Sequence, residues 1–215
     1  MPKKIYLVGL GAIGSYFVKA MMDKYGNSGE QVIIHAIDYD KVEPHNIGNQ
    51  HFSYADVGLR KSTAIQNRFA PGDNRPQGLL CRDIRWRLND AEYGDYNDWI
   101  NWSDIFIMAV DKMDVRRSIV NTINNARISQ PPVIFDTRLA PEVIQSYSTT
   151  ALTTENLAYN NDDAPASPCQ SRFSADRELV QQAVDWLVEN VEHCMEYGTP
   201  LFSERQLIGS EVIQW

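Results

Sequence analysis

Cysteine is scarce in this chain. Cys81, Cys169 and Cys194 are widely spaced and odd in number, and no Cys-x-x-Cys pair occurs. Neither a zinc knuckle nor a disulfide framework is supported. No apolar run approaches the roughly 18 residues of a membrane span. Met1-Pro2-Lys3-Lys4 leads almost at once into an apolar strand, leaving no room for a signal peptide, and a cytoplasmic location is expected. Net positive charge is also missing: the formal net charge is -8, which argues against a general nucleic-acid binder. His45 and His51 have no second ligand at metal spacing. Disorder is opposed by a hydrophobic content of 43%. At 215 residues the chain can build one domain with a substantial core, and it carries no internal repeat.

What is present alternates strand and helix. Ile5 to Val8 is a short apolar run suited to a buried parallel strand. Gly9, Gly11 and Gly14 follow in a G-x-G-x-x-G pattern, with a helix opening near Ile13. Gly9 permits a tight turn, Gly11 lets the backbone approach a phosphate, and Gly14 lets helix and strand pack closely. The helix N-terminus offers free N–H groups to the anion. A second strand, Val32 to Ile37, ends at Asp38, where an acid meets ribose hydroxyls in such folds.

Beyond it, a helix is expected from Lys61 to Ala70, and strands at Gly78 to Cys81, Ile105 to Val110 and Val133 to Phe135. A helix is expected from Val115 to Arg127. Asp111 and Asp136 fall at strand ends in this reading. Glu142 to Thr150 is β-prone and suits an antiparallel edge, whereas Trp86 to Trp102 has no clean period. Asn160 to Pro168 is rich in turn residues, the best candidate for a mobile loop within about 151–168. Asp176 to Cys194 carries apolar residues at helical spacing, suited to core packing or to a dimer face. The expected fold is α/β, Rossmann-like and doubly wound, with a mainly parallel sheet, an antiparallel edge and a C-terminal helix. Residues 1–197 form its single domain, and 198–215 are a half-apolar tail that docks on it or joins a partner.

The stretch past Asp38 is unusually polar. It reads Asp38-Tyr-Asp40-Lys-Val42-Glu43-Pro-His-Asn46-Ile47-Gly-Asn49-Gln50, then Gly58-Leu-Arg-Lys61. Further on comes Val110-Asp111-Lys-Met-Asp-Val-Arg116. This order resembles the ThiF/MoeB and ubiquitin-activating enzyme superfamily. Its pattern is Asp-x-Asp-x-Val-Glu-x-x-Asn-Leu-x-Arg-Gln, then Gly-x-x-Lys, then a strand-end Val-Asp-Asn followed by Arg. The resemblance covers about residues 4 to 150.

It implies ATP- and magnesium-dependent adenylation of the C-terminal carboxylate of a small ubiquitin-like or sulfur-carrier protein or peptide, by a homodimer. It also implies that Gly9, Gly11, Ala12 and Gly14 wrap the phosphates with backbone amides and that Asp38 binds ribose. Asp40 and Asn46 line the same site, Lys61 meets the phosphates, and Asp111 holds magnesium and the triphosphate. Cys169, in Ser167-Pro-Cys-Gln-Ser-Arg172, is a candidate acyl acceptor, because some relatives carry the acyl group on such a cysteine. The helix start and Arg172 would favour its thiolate.

One position departs from the pattern. Asn49 stands where the family has an arginine on the triphosphate, and a neutral amide replaces a bidentate cation. Removing one such contact costs on the order of 3 kcal/mol of transition-state stabilisation. Two rival readings stay open: a non-catalytic member that assists a partner, suggested by Asn49, and an NAD-dependent oxidoreductase, suggested by the glycines alone. Other roles are open too, since Lys61 also suits a helix start, Asp40 a turn, Asp111 a helix cap and Cys169 a half-buried packing site.

Overall fold

A computed structural model describes residues 3–26, 32–69, 79–82, 105–125, 132–140, 143–149, 177–201, 204–208 and 211–214. Strands β1 (Lys3–Val8), β2 (Val32–Ile37), β3 (Leu79–Arg82), β4 (Ile105–Met108) and β5 (Val133–Ala140) pair in parallel. Strands β6 (Val143–Thr149), β7 (Glu204–Ile208) and β8 (Glu211–Gln214) continue the sheet antiparallel. The order is β3-β2-β1-β4-β5-β6-β7-β8. The chain therefore winds outward from β1 in one direction and returns to β4 in the other. The crevice where the order reverses lies at the carboxyl end of β1. The helices are α1 (Ala12–Tyr25), α2 (Lys61–Phe69), α3 (Met113–Asn125) and α4 (Arg177–Tyr197).

The period of two along each strand explains why the central strands are apolar throughout. Ile5 and Leu7 of β1, Ile105 and Ile107 of β4, and Val133 and Phe135 of β5 face one layer with α1, α2 and α4. Tyr6, Val8, Phe106, Met108 and Ile134 face the other, against Ile119, Val120 and Ile123 of α3. The α4 stripe, including Val180, Val184, Leu187 and Val191, is buried in the first layer. It is core packing in this chain, and Trp186 meets Phe135 edge-on at 6.2 Å between ring centroids. Cys194 lies in the same layer, and burial pushes its thiol pKa up to about 12.

Several boundaries differ from the sequence expectation for physical reasons. β4 ends at Met108, although the Ala109 amide still donates to the Val8 carbonyl at 2.8 Å. β5 runs on to Ala140, because β6 pairs with it from Ile134 to Ala140. Asp136 thus lies inside a strand and not after one. Its buried carboxylate accepts from Arg116 of α3, which also donates to the carbonyls of Val110 and Thr137. The residues after Tyr197 supply β7 and β8. The loop expected at 151–168 and the segment from Trp86 to Trp102 lie outside the described residues. No described helix is long and apolar enough to cross a membrane.

Past β2 the chain doubles back to α1. The His51 amide donates to Ser15 Oγ at 2.9 Å, and the Arg68 guanidinium donates to the His51 carbonyl at 2.6 Å. The imidazole stacks on Phe69 and tilts against Tyr16. Burial, then the nearby cations Arg68 and Lys19, lower its pKa from 6.5 to about 4, so it is neutral near pH 7.

Two outcomes are expected. Arg116→Met takes the guanidinium away from the buried Asp136 carboxylate, and should lower unfolding free energy by about 3–5 kcal/mol in denaturant melts; Asp136→Leu in the same chain should restore most of it. For His51, between pH 6.5 and about 4 the unfolded chain takes a proton that the folded protein refuses. Stability should therefore fall as pH drops through that window. Discounted for partial exposure, the loss is about 1–2 kcal/mol, and His51→Phe should flatten that part of the pH profile.

Candidate functional site

The turn after β1 is shaped by two glycines whose absence of a side chain is required. Gly9 has φ +100°, and a Cβ there would collide with the Ala109 carbonyl next to β4. A Cβ on Gly14 would run into the Gly9 carbonyl oxygen. Gly11 is different: among the described residues, a Cβ built on it meets nothing within 4 Å. Packing against those residues does not demand glycine at 11, and the space above it is open. Ala12 opens α1 directly beside it, and no acidic residue occupies the first turn of that helix. The helix end is therefore open to an anion.

Asp38 anchors this turn. Its Oδ2 accepts the Leu10 amide and its Oδ1 the Asp40 amide, both at 2.7 Å. Each oxygen keeps a second lone pair, enough to receive ribose hydroxyls. Burial raises the Asp38 pKa against the opposing pull of Lys61 and the two amides.

Residues 38 to 61 carry little regular structure yet return to their start. The Val42 amide donates to Leu59 and the Gly58 amide to Val42, and Lys41 bridges Arg60 antiparallel. The Lys61 amide then reaches the Asp40 carbonyl at 2.8 Å, and Lys61 Nζ lies 3.4 Å from Asp40 Oδ2. The Lys61 side chain is only 8% exposed, so it is not an ordinary exposed helix-start lysine. Asp38, Asp40 and Lys61, which sequence assigned to one site, are brought together.

Other assigned residues fare differently. Asn46 is buried, but its Oδ1 accepts the Glu43 amide at 2.8 Å and so closes the short helical turn Pro44–Asn46. Asn49 follows it, half-buried, with its amide on the Asn46 carbonyl at 3.2 Å. Asp111 lies exposed past the end of β4, two residues before α3. Cys169 lies outside the described residues. Among the described residues, no three His, Cys, Asp or Glu are grouped to hold a metal. A magnesium ion here would take most of its ligands from phosphate and water.

Two residues that follow β4 and β2 were not singled out by the sequence. Tyr39 raises the Lys112 pKa most, and Asp111 and Asp114 raise it further. Tyr39 also accepts from Arg60 through its carbonyl. The signal for Lys112 was its place in the strand-end motif, where the family pattern carries asparagine.

A family model described as the ThiF family matches residues 2–185. The "ATP-dependent ubiquitin transferase-like protein Cap2" of Vibrio cholerae serotype O1 (strain ATCC 39315 / El Tor Inaba N16961) is 34% identical over 95 residues, 44% of this chain and 16% of that protein. Among solved structures, E. coli MccB with ATP superposes at a TM-score of 0.67 with 18% identity, covering 99% of this chain and 63% of MccB. A structure of PaaA gives 0.62 with 15% identity over 99% of this chain and 63% of that one. This chain thus spans less than two thirds of these relatives, and the structural likeness speaks for the fold alone. With the family model covering most of its length, the chain belongs to the ThiF family.

Proposed function

We propose that this protein is an ATP-dependent adenylyltransferase. It activates the C-terminal carboxylate of a small ubiquitin-like or sulfur-carrier protein, or of a peptide, as an acyl-adenylate. The observation that carries the reading is the Asp38–Asp40–Lys61 cluster set against the open face of Gly11. A dinucleotide oxidoreductase needs an acid for ribose, but it has no use for a buried lysine returned beside it. Family membership supports the reading, as do the printed description of Cap2 as ATP-dependent and the solution of MccB with ATP.

The residues fit this nucleotide. Backbone amides from Gly11 and Ala12 face the phosphates, and Asp38 receives the ribose. Lys61 gives a point charge to phosphate oxygen, at the cost of its contact with Asp40. Magnesium, with Asp111 as its protein ligand, would neutralise charge moving onto the leaving group. An oxygen of the acceptor carboxylate forms a bond to the α-phosphorus. The bond from that phosphorus to the bridging oxygen breaks, and pyrophosphate leaves with the electron pair. No proton need move, so the protein supplies position and electrostatics. Asn49 favours a second reading, a non-catalytic member that binds nucleotide for a partner.

Calorimetric titration with ATP and magnesium should show binding that requires the metal, that is lost in Asp111→Ala, and that is at least about tenfold weaker in Lys61→Ala. Gly11→Ala should fold like the parent but bind ATP more weakly, whereas Gly14→Ala should lower the melting temperature. ATP–pyrophosphate exchange with the carboxylate partner supplied separates the two readings: exchange indicates the enzyme, and binding without exchange the assisting subunit.

A further inference from the structure

Asp111, the proposed magnesium ligand, sits on a stretch that strand pairing does not hold. The register of β4 with β5 ends at Met108 and Asp136. On the β1 side one further bond follows, from the Ala109 amide to the Val8 carbonyl at 2.8 Å. Val110 and Asp111 then leave the sheet, half-buried and exposed respectively, before α3 begins at Met113.

The Arg116 guanidinium takes over where the pairing stops. From the first turn of α3 it donates to the Val110 carbonyl, to the Asp136 carboxylate and, at 3.2 Å, to the Thr137 carbonyl. Thr137 stands one step past the last pair of β4 with β5, so the guanidinium ties the two chains together just beyond their ladder. Arg116 and Asp136 are both buried. A charge pair set so deep does little for stability that apolar residues of the same size would not do. Its distinct effect is directional, because a planar fork backed by a carboxylate holds its carbonyl acceptors in set places. One of those carbonyls belongs to the peptide unit whose nitrogen is that of Asp111. That unit is planar, so fixing the carbonyl fixes where the Asp111 side chain departs.

We infer that Arg116 is a positioning residue: by fixing the plane of the Val110–Asp111 peptide, it aims the Asp111 carboxylate at the magnesium that accompanies ATP. This inference rests on the ATP reading of the same site. Asp136 serves one step further back, orienting the guanidinium and balancing its charge. Magnesium accepts its ligands only in near-octahedral placement at about 2.1 Å, so a carboxylate free to swing at a strand end serves it poorly. Groups that orient a metal ligand without touching the metal commonly carry on the order of 10- to 100-fold of the metal affinity.

The test is calorimetry on the full chain, titrating ATP over a series of magnesium concentrations and AMP without metal. Two variants are compared with the parent. Arg116→Met with Asp136→Leu removes both charges together and keeps most of the stability, which separates the aiming of Asp111 from the packing of the core. Arg116→Lys keeps a charge beside Asp136 but loses the fork. Thermal melts establish that each variant is folded at the assay temperature. Both should need at least about tenfold more magnesium for half-maximal ATP binding, while AMP affinity changes by less than about twofold. A magnesium requirement equal to the parent's in either folded variant overturns the inference and leaves the ATP reading standing. An equal loss of AMP binding marks general damage to the crevice and also overturns it. Failure of the parent protein to bind ATP removes the ATP reading, and this inference with it.

Discussion

The Asp38 carboxylate reaches back across 28 residues of sequence to accept the Leu10 amide, while its other oxygen accepts the Asp40 amide. The first bond holds the glycine turn against the end of β2. The second sets the direction in which the chain leaves that strand. Because Asp40 is held, its carbonyl can receive the Lys61 amide and its carboxylate can face the Lys61 ammonium. One buried acid thus sets the relative position of the glycine turn, Asp40 and Lys61. Burial acts against it, raising its pKa, and the two amides with Lys61 offset part of that penalty. A ribose hydroxyl donating to the remaining lone pairs would offset more of it.

The segment from Asp38 to Lys61 shows how a long connection is made specific without regular structure. Backbone bonds between Val42, Gly58 and Leu59 fold it into a narrow loop, so Lys61 begins α2 at the point where Asp40 waits. Two short helical turns, each closed by its own capping residues, stiffen the far end of that loop. Ser15 then ties His51 to the first turns of α1, and Arg68 of α2 holds the same residue by its carbonyl. The polar loop is therefore clamped between the two helices whose N-termini flank the crevice. Loops this long that carry a site are generally of this packed kind.

Sequence made some of these features legible and not others. Ile5 to Val8 and Ile105 to Met108 were readable because strands buried on both faces are continuously apolar. Gly9 and Gly14 were readable because the close approach of turn, helix and strand tolerates nothing larger. Asp38, Asp40 and Lys61 were readable from order along the chain. The role of Asn46 as a turn cap was not, since a capping asparagine and a ligand-binding one look alike in sequence. Asp136 was misplaced at a strand end because β5 gains its last residues from pairing with β6, a non-local contact. For the same reason β7 and β8 were hidden in what read as a tail. The influence of Tyr39 on Lys112 acts between residues that follow β2 and β4, and local pattern carries no trace of it.

Charge balance is the constraint that remains once these positions are fixed. On the proposed reading, Asp38, Asp40 and Asp111 would stand about a ligand that is itself a polyanion, and Asn49 stands where the family pattern has a cation. Coulomb repulsion of this kind is weak through water and severe once water is expelled. A site so built would favour a nucleotide that brings its own metal, since magnesium would turn Asp111 from an obstacle into a ligand. On that reading Lys61 would give up Asp40 to serve the phosphates, leaving the acid beside them. The net attraction for a bare triphosphate would accordingly be small, and a metal would be what shifts it.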